Sequence, residues 1–390
     1  MAERKLRMLF NSNAPWATSG YSMQMAELLP RITKLGYSVA QNDFFGLQGG
    51  KLEVNGVTHY PTINHVYGSD AMVLHGKDFK ADVVFTLQDI WVLHPDDLAK
   101  TNHWIPILPI DQDPVPNNVL DKLRFAYKVI TYAKFGQKQL LDKGIFSTYI
   151  PHTVDTKIYK PMDKVKRKQA AGLPTDCFLV GMVAANKDNP PRKSFQEVMD
   201  SFKMFLAVEP KAILYIHTNP QFPGGFPIDE YARFIGIQDR VIFPDAYQMN
   251  YNMGKSEMAM VYNTFDVLMA PSASEGFCVP LIEAQACGVP VITNRFTSME
   301  ELCLHEKTGY LCDVGYKRFV ASGSYWGIPS VQSIFDNLVS IHKRNTIEMG
   351  KEARKFMVEN FDSDTVFKEK WVPYFEDLEN ELVPKENKGV

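Results

Sequence analysis

Between Pro271 and Ile292 the residue types could do chemistry on a phosphorylated ligand. Val267–Ala270 has the apolar run of a buried strand and ends at Pro271. A polar loop follows, then Pro280 suits a first helical turn and Gly288 suits a helix stop. A loop feeding a helix N-terminus at a strand's carboxyl end is where doubly wound sheets bind phosphorylated ligands. The amides of Gly276 and Phe277, just ahead of Cys278, would face an anion, aided by the helix dipole. Glu283 lies in the first turns and cannot itself favour phosphate. A carboxylate there is better used to accept hydrogen bonds from vicinal hydroxyls, such as a ribose diol. Glu275, eight positions earlier, could do the same for sugar hydroxyls. Either glutamate alone reads equally as a solvated charge; the whole run is harder to dismiss.

A second stretch, Gly181 to Phe195, follows an apolar strand and precedes an amphipathic helix. Arg192 and Lys193 stand at that helix start, where positive charge opposes the dipole and so calls for a reason. A departing diphosphate would supply one. In the first half, Asn11–Ser22 links the first strand to its helix. There Gly20 allows close backbone approach, and Ser19 can donate a hydrogen bond or cap the helix. No G-x-G-x-x-G occurs in this loop, so it carries no nicotinamide fingerprint. Asp89 and Asp111 follow strand ends and serve either as site residues or as caps of the next helix. Asp111-Gln112-Asp113 has the D-x-D spacing of a divalent-metal triplet, but Asp362-Ser363-Asp364 repeats it elsewhere. His94, His103 and His152 show no metal-ligand spacing.

The Pro271–Ile292 run resembles the E-x7-E signature of the glycosyltransferases of the group 1 type, family 4, which have the GT-B fold. The resemblance implies that Glu275 contacts the transferred sugar, that Gly276, Phe277 and Cys278 hold the diphosphate, and that Glu283 binds the nucleotide ribose. Lys193 matches the family's lysine. Asn186 stands near the family's arginine, with Lys187 and Arg192 as substitutes. The Ser19-Gly20 loop is similar to one that faces the donor phosphates, and Asp89 and Asp111 become candidates beside the reacting sugar. Glu306–Leu311 is similar too, whereas Arg295–Glu300 replaces a glycine pair and Gly315–Pro329 reads as an added loop. The implied activity is retaining transfer from a UDP- or GDP-linked sugar, without metal or cofactor. The acceptor would be a saccharide, a lipid-linked compound or another hydroxyl compound. The alternatives are a nucleotide-sugar epimerase, a phosphorylase, or a silent binding protein that keeps the donor pocket.

The elements that must position these residues follow from the rest of the chain. Its 390 residues suggest two domains, and 45% hydrophobic with 22% charged residues excludes extensive disorder. Lys+Arg total 42 against 45 Asp+Glu, so charge gives nucleic-acid binding no support. The five cysteines form no C-x-x-C pair, so reduced thiols in a cytoplasmic setting are expected. No apolar run approaches the ~18 residues of a membrane span; the chain is expected to be cytoplasmic or peripheral at a membrane. Strand-like runs at Leu6–Phe10, Ser38–Ala40, Asp82–Leu87, Trp104–Ile110 and Lys128–Thr131 alternate with helical segments. So do runs at Phe178–Val183, Ala212–Ile216, Arg240–Phe243, Val267–Ala270 and Val289–Thr293. Two such series predict an α/β chain of two Rossmann-like domains facing a central cleft. The boundaries expected are 1–155 for the acceptor side, 156–365 for the nucleotide-sugar side, and 366–390 for a helix and tail packing back on the first domain. Pro30 is expected to kink or shorten the helix Tyr21–Leu35, and Pro373 to interrupt Ser363–Leu382.

Overall fold

The computed structural model describes residues 4–251, 253–344 and 346–383, so the expected frayed tail from Pro384 lies outside the described residues. The chain forms two compact units. Unit 1 takes the residues up to Ile110, Val115–Thr153 and those from Ser363 on; unit 2 takes Asp111–Pro114 and Val154–Asp362. Each is an α/β unit.

In unit 1 the strands are β1 (Arg7–Asn13), β2 (Ser38–Phe45), β3 (Leu52–Val54), β4 (Val57–Pro61), β5 (Val83–Leu87), β6 (Trp104–Leu108), β7 (Ile130–Thr131) and β8 (Thr148–Tyr149). They form one sheet in the order β3-β4-β2-β1-β5-β6-β7-β8. Only the β3–β4 pair is antiparallel. Every residue of β5 and β6 is buried, as expected of parallel strands covered on both faces. Leu9, Met72, Val84, Trp104, Leu108 and Leu140 lie in one apolar cluster of this unit. The helix Val372–Leu382 closes the unit by burying Phe375 edge-on against Phe85.

In unit 2 the strands are β9 (Leu179–Val183), β10 (Ile213–His217), β11 (Val241–Ile242), β12 (Val267–Ala270), β13 (Val291–Asn294) and β14 (Gly309–Cys312). They pair in parallel in the order β11-β10-β9-β12-β13-β14. Chain order reverses between β9 and β12, the switch point of a doubly wound sheet. The helix Phe195–Phe205 buries Phe195, Val198, Met199, Phe202 and Phe205, one face at helical spacing. These side chains join Ile334, Leu338 and Ile341 of the helix Val331–Lys343 in the core.

Two expectations need correction. The helix containing Pro30 is not shortened but runs Gly20–Lys34. Residues 315–329 are not a loop: β15 (Val314–Val320) and β16 (Ser324–Pro329) form an antiparallel hairpin, with Gly323 at φ +80° in its turn. The interruption expected in Ser363–Leu382 takes the form of a π-helical turn at Phe367–Trp371, between the α-helices Ser363–Val366 and Val372–Leu382, with Pro373 in the first turn of the latter.

Candidate active site

The switch point of unit 2 brings together the two stretches that sequence spacing singles out. β9 and β12 pair directly, so their carboxyl ends deliver Ala184 onward and Pro271 onward to one place. Cys278 adopts φ +86° as the cap of the helix Val279–Ala286, with Pro280 in its first turn. The loop before that cap is pinned on every side. Ala273 N donates to Arg192 O at 2.8 Å and Gly327 N to Ala273 O at 2.9 Å. Asn294 Nδ2 donates to Ser272 O at 3.0 Å and to Gly327 O at 2.6 Å, tying β13, the loop and the hairpin together. Thr297 Oγ1 donates to Glu275 O at 2.9 Å and accepts from Glu275 N at 3.3 Å, while Ser298 Oγ donates to the same carbonyl at 2.9 Å. Thr297 holds φ +53°, a conformation costing a β-branched residue about 1–3 kcal/mol. Its exchange of hydrogen bonds with Glu275 offsets that strain.

Glu275 is 6% exposed. Lys193 Nζ donates to its Oε1, and Arg192 Nη1 lies 3.2 Å from Oε2 while also donating to Ser274 O. Burial pushes the Glu275 carboxyl up, but the charges of Lys193 and Arg192 overcome it and bring it down to about 2. The Arg192 guanidinium is held above its ordinary value: burial lowers it, and Glu275 and Asp111 more than restore it. Asp111 belongs to unit 2 although residues of unit 1 flank it in sequence. Its carbonyl accepts from Ser274 Oγ, and burial raises its carboxyl against the pull of Arg192. Val183, Ala184, Lys193, Ser272, Glu275 and Cys278 line a small hollow here.

Glu283 sits further along the same helix, buried, with Oε2 accepting from Tyr262 Oη at 2.7 Å. Burial lifts its carboxyl to about 7, against hydrogen bonds from Tyr262 and Tyr159. Gly276 and Phe277 lie between the two glutamates, both buried. Asn186 is not part of the Lys193–Glu275 group. Its Oδ1 accepts from Phe226 N and its Nδ2 donates to Phe226 O, both bracketing the 219–226 loop. Asp113 is engaged by Lys317 Nζ at 2.9 Å. Among the described residues no group of three or more His, Cys, Asp or Glu could hold a metal ion.

In unit 1 the structure groups Ser19, Gly20 and Asp89 near the carboxyl ends of β1 and β5. Ser19 caps the helix Gly20–Lys34, accepting from Ser22 N at 3.1 Å and Asn13 Nδ2 at 2.6 Å. Asp89 follows β5 by two residues and accepts from Tyr21 Oη at 3.3 Å. His152 is buried and stacked on Tyr132, and burial pushes it down to about 3. Sequence reasoning missed Thr297, Ser298, Asn294 and Tyr262. The hydroxyl pair after β13, standing where glycines were expected, was the signal available for the first two.

A parallel or almost wholly parallel sheet in each unit, in these strand orders, belongs to a GT-B-fold protein. The fold matches sucrose-phosphate synthase from Thermosynechococcus elongatus with a TM-score of 0.77 at 15% identity, over 96% of this chain and 99% of that one. It also matches Anabaena HepE in complex with UDP and glucose, with a TM-score of 0.71 at 14% identity, over 95% and 100%. Residues 177–322, all within unit 2, match the family described as glycosyl transferases group 1. Among relatives by sequence, N-acetyl-alpha-D-glucosaminyl L-malate synthase from Bacillus anthracis is 25% identical over 295 residues, 73% of this chain and 69% of that protein. D-inositol 3-phosphate glycosyltransferase 2 from Catenulispora acidiphila is 28% identical over 177 residues. That match takes 44% of this chain and spans only 39% of the relative's length. Among the described residues no helix is long and apolar enough to cross a membrane.

Proposed function

We propose that this glycosyltransferase moves a sugar from a UDP- or GDP-linked donor to an acceptor hydroxyl, with retention of configuration and with no metal or further cofactor. The Glu275 carboxylate, held between Lys193 and Arg192 at the sheet's switch point, supports this most. Lys193 and Arg192 supply cations where a diphosphate would depart, and the helix N-terminus at Gly276-Phe277 adds its dipole. Glu275 stays ionised throughout the neutral range, fit to accept hydrogen bonds from sugar hydroxyls. Glu283 on this reading accepts hydrogen bonds from a ribose diol. In this reading the acceptor oxygen bonds the anomeric carbon on the face from which the diphosphate oxygen leaves, and that oxygen takes the acceptor's proton. The protein's part is to neutralise the leaving group and to position both reactants. The UDP and glucose named for the Anabaena structure agree with a nucleotide-sugar donor here.

The test is a panel of nucleotide sugars read by thermal stabilisation and by donor turnover, since a ligand bound to the folded state raises its melting temperature. One UDP- or GDP-sugar should shift the wild type, and Lys193→Ala should lower kcat about 100- to 1,000-fold while the fold is kept. Wild-type turnover in that variant removes Lys193 from the mechanism. No shift with any nucleotide sugar overturns the reading.

A further inference from the structure

The side chains around the turn of the β15–β16 hairpin are spent on Asp111–Pro114, four residues about 210 positions earlier in the chain. Ser322 Oγ donates to Gln112 Oε1, and the buried Ser324 Oγ donates to Pro114 O. Lys317 Nζ reaches Asp113 Oδ2 at 2.9 Å. Tyr325 N donates to Asp113 O at 3.1 Å, which makes an antiparallel bridge between β16 and this segment. The root of the hairpin is fixed separately, by the bonds of Gly327 to Ala273 and Asn294. A Cβ at Gly327 would meet the Phe296 ring at 2.7 Å, so only glycine allows that approach. One end of the hairpin is therefore anchored on the loop that presents Glu275, and the other grips Asp111–Pro114.

We propose that Lys317, Ser322 and Ser324 are positioning residues of the transferase: they seat Asp111 beside Arg192 and so fix the guanidinium that faces the departing diphosphate. The inference rests on the transferase reading above. Ser274 links the two groups, since its Oγ donates to Asp111 O while its own carbonyl accepts from Arg192 Nη1. The Asp111 carboxyl and the Arg192 guanidinium act on each other's charge. A planar guanidinium held from two sides, by Glu275 and by Asp111, keeps one orientation; held from one side it can turn. A role in the fold alone explains the grip less well. The half-exposed Lys317–Asp113 pair is worth only about 0–1 kcal/mol of stability, whereas a small misplacement of a group that meets the transition state is costly in rate.

Lys317→Met, Ser322→Ala and Ser324→Ala together remove the three side-chain donors and leave the backbone bridge. With the nucleotide sugar selected by the panel, this triple variant should turn over donor with kcat lowered about tenfold or more and KM changed less. Asp111→Asn should lower kcat comparably. Added to Asp111→Asn, the triple change should cost less than about twofold further, because the hairpin then has no carboxylate left to place. Full losses in both backgrounds would assign the hairpin to the fold, and wild-type kcat in the triple variant or in Asp111→Asn would equally overturn the proposal. Should loss of the Ser324 bond unfold the protein, an exchange of charges decides. Lys317→Asp alone should lower kcat several-fold, and Asp113→Lys added to it should restore kcat to within about twofold of wild type; no loss, or no recovery, overturns the assignment. If no nucleotide sugar is turned over by the wild type, it is the transferase reading that fails, and this assignment with it.

Discussion

Cys278 sits at φ +86°, left-handed backbone that favours glycine, at the cap of the helix behind Glu275. Cys278→Gly removes the strain but frees the unfolded chain, so it should change stability by less than about 1 kcal/mol. Cys278→Val sets a β-branched residue in the same geometry and should cost about 2 kcal/mol or more. Chemical denaturation measures both; equal effects would show that backbone conformation is not what limits this position. The two glutamates titrate in opposite senses. Glu275 falls to about 2 from 4.5, so the stability it adds is present above pH 4.5 and is lost as pH drops towards 2. Glu283 rises to about 7 from 4.5, so its contribution weakens as pH climbs from 4.5 to 7. If the Glu283 carboxylate accepts a diol, donor affinity should strengthen as pH rises through about 7. Calorimetry from pH 6 to 8 decides this, and a flat profile would remove Glu283 from donor binding. The residue types singled out both stretches, but the pairing of Lys193 with Glu275 shows only once β9 and β12 lie side by side. The place of Asn186 was not legible: its amide answers to the backbone of Phe226, forty positions away.

The loop that presents Glu275 is rigid because three other elements bond to it. Thr297 is the sharpest case, since its hydroxyl both donates to and accepts from the Glu275 backbone. Thr297→Val keeps the shape and the unfavourable φ but loses both bonds. It should lower kcat about tenfold, with the donor KM changed less, because a loosened carboxylate costs more in the transition state than in binding. Thr297→Ser should restore the rate; if serine and valine behave alike, the hydroxyl is not what positions Glu275. Strands with continuous apolar runs, such as Val267–Ala270, could be read to the residue. The β15–β16 hairpin escaped because it exposes the large side chains of Tyr316, Phe319 and Tyr325, so no apolar–polar alternation marks it. The three-residue β3 pairs only with β4 and buries none of its residues, too little signal for any pattern.

Two series of alternating strands and helices foretold two α/β units, and each strand order places its switch point beside a stretch singled out from sequence. The membership of Asp111–Pro114 in unit 2 was not legible, because it depends on pairing with a hairpin about 210 positions later. The closing helix of unit 1 brings Phe375 to Phe85, Tyr37 Oη to Glu379 at 3.2 Å, and Lys128 to Glu381. Deleting the chain from Ser363 onward should therefore destabilise unit 1 selectively. Burying one phenylalanine alone is worth about 1.5–3 kcal/mol. Limited proteolysis of the shortened protein should cut within 4–153 while sparing 154–362, and uniform resistance would show that the helix is dispensable. Because unit 1 is assembled from both ends of the chain, vectorial synthesis imposes an order. Unit 2 is complete on the ribosome before the last helix of unit 1 has emerged, reversing the usual amino-first sequence. Until translation reaches Phe375, the nascent chain carries Phe85 without its final cover, and that interval is when a chaperone would have most to bind.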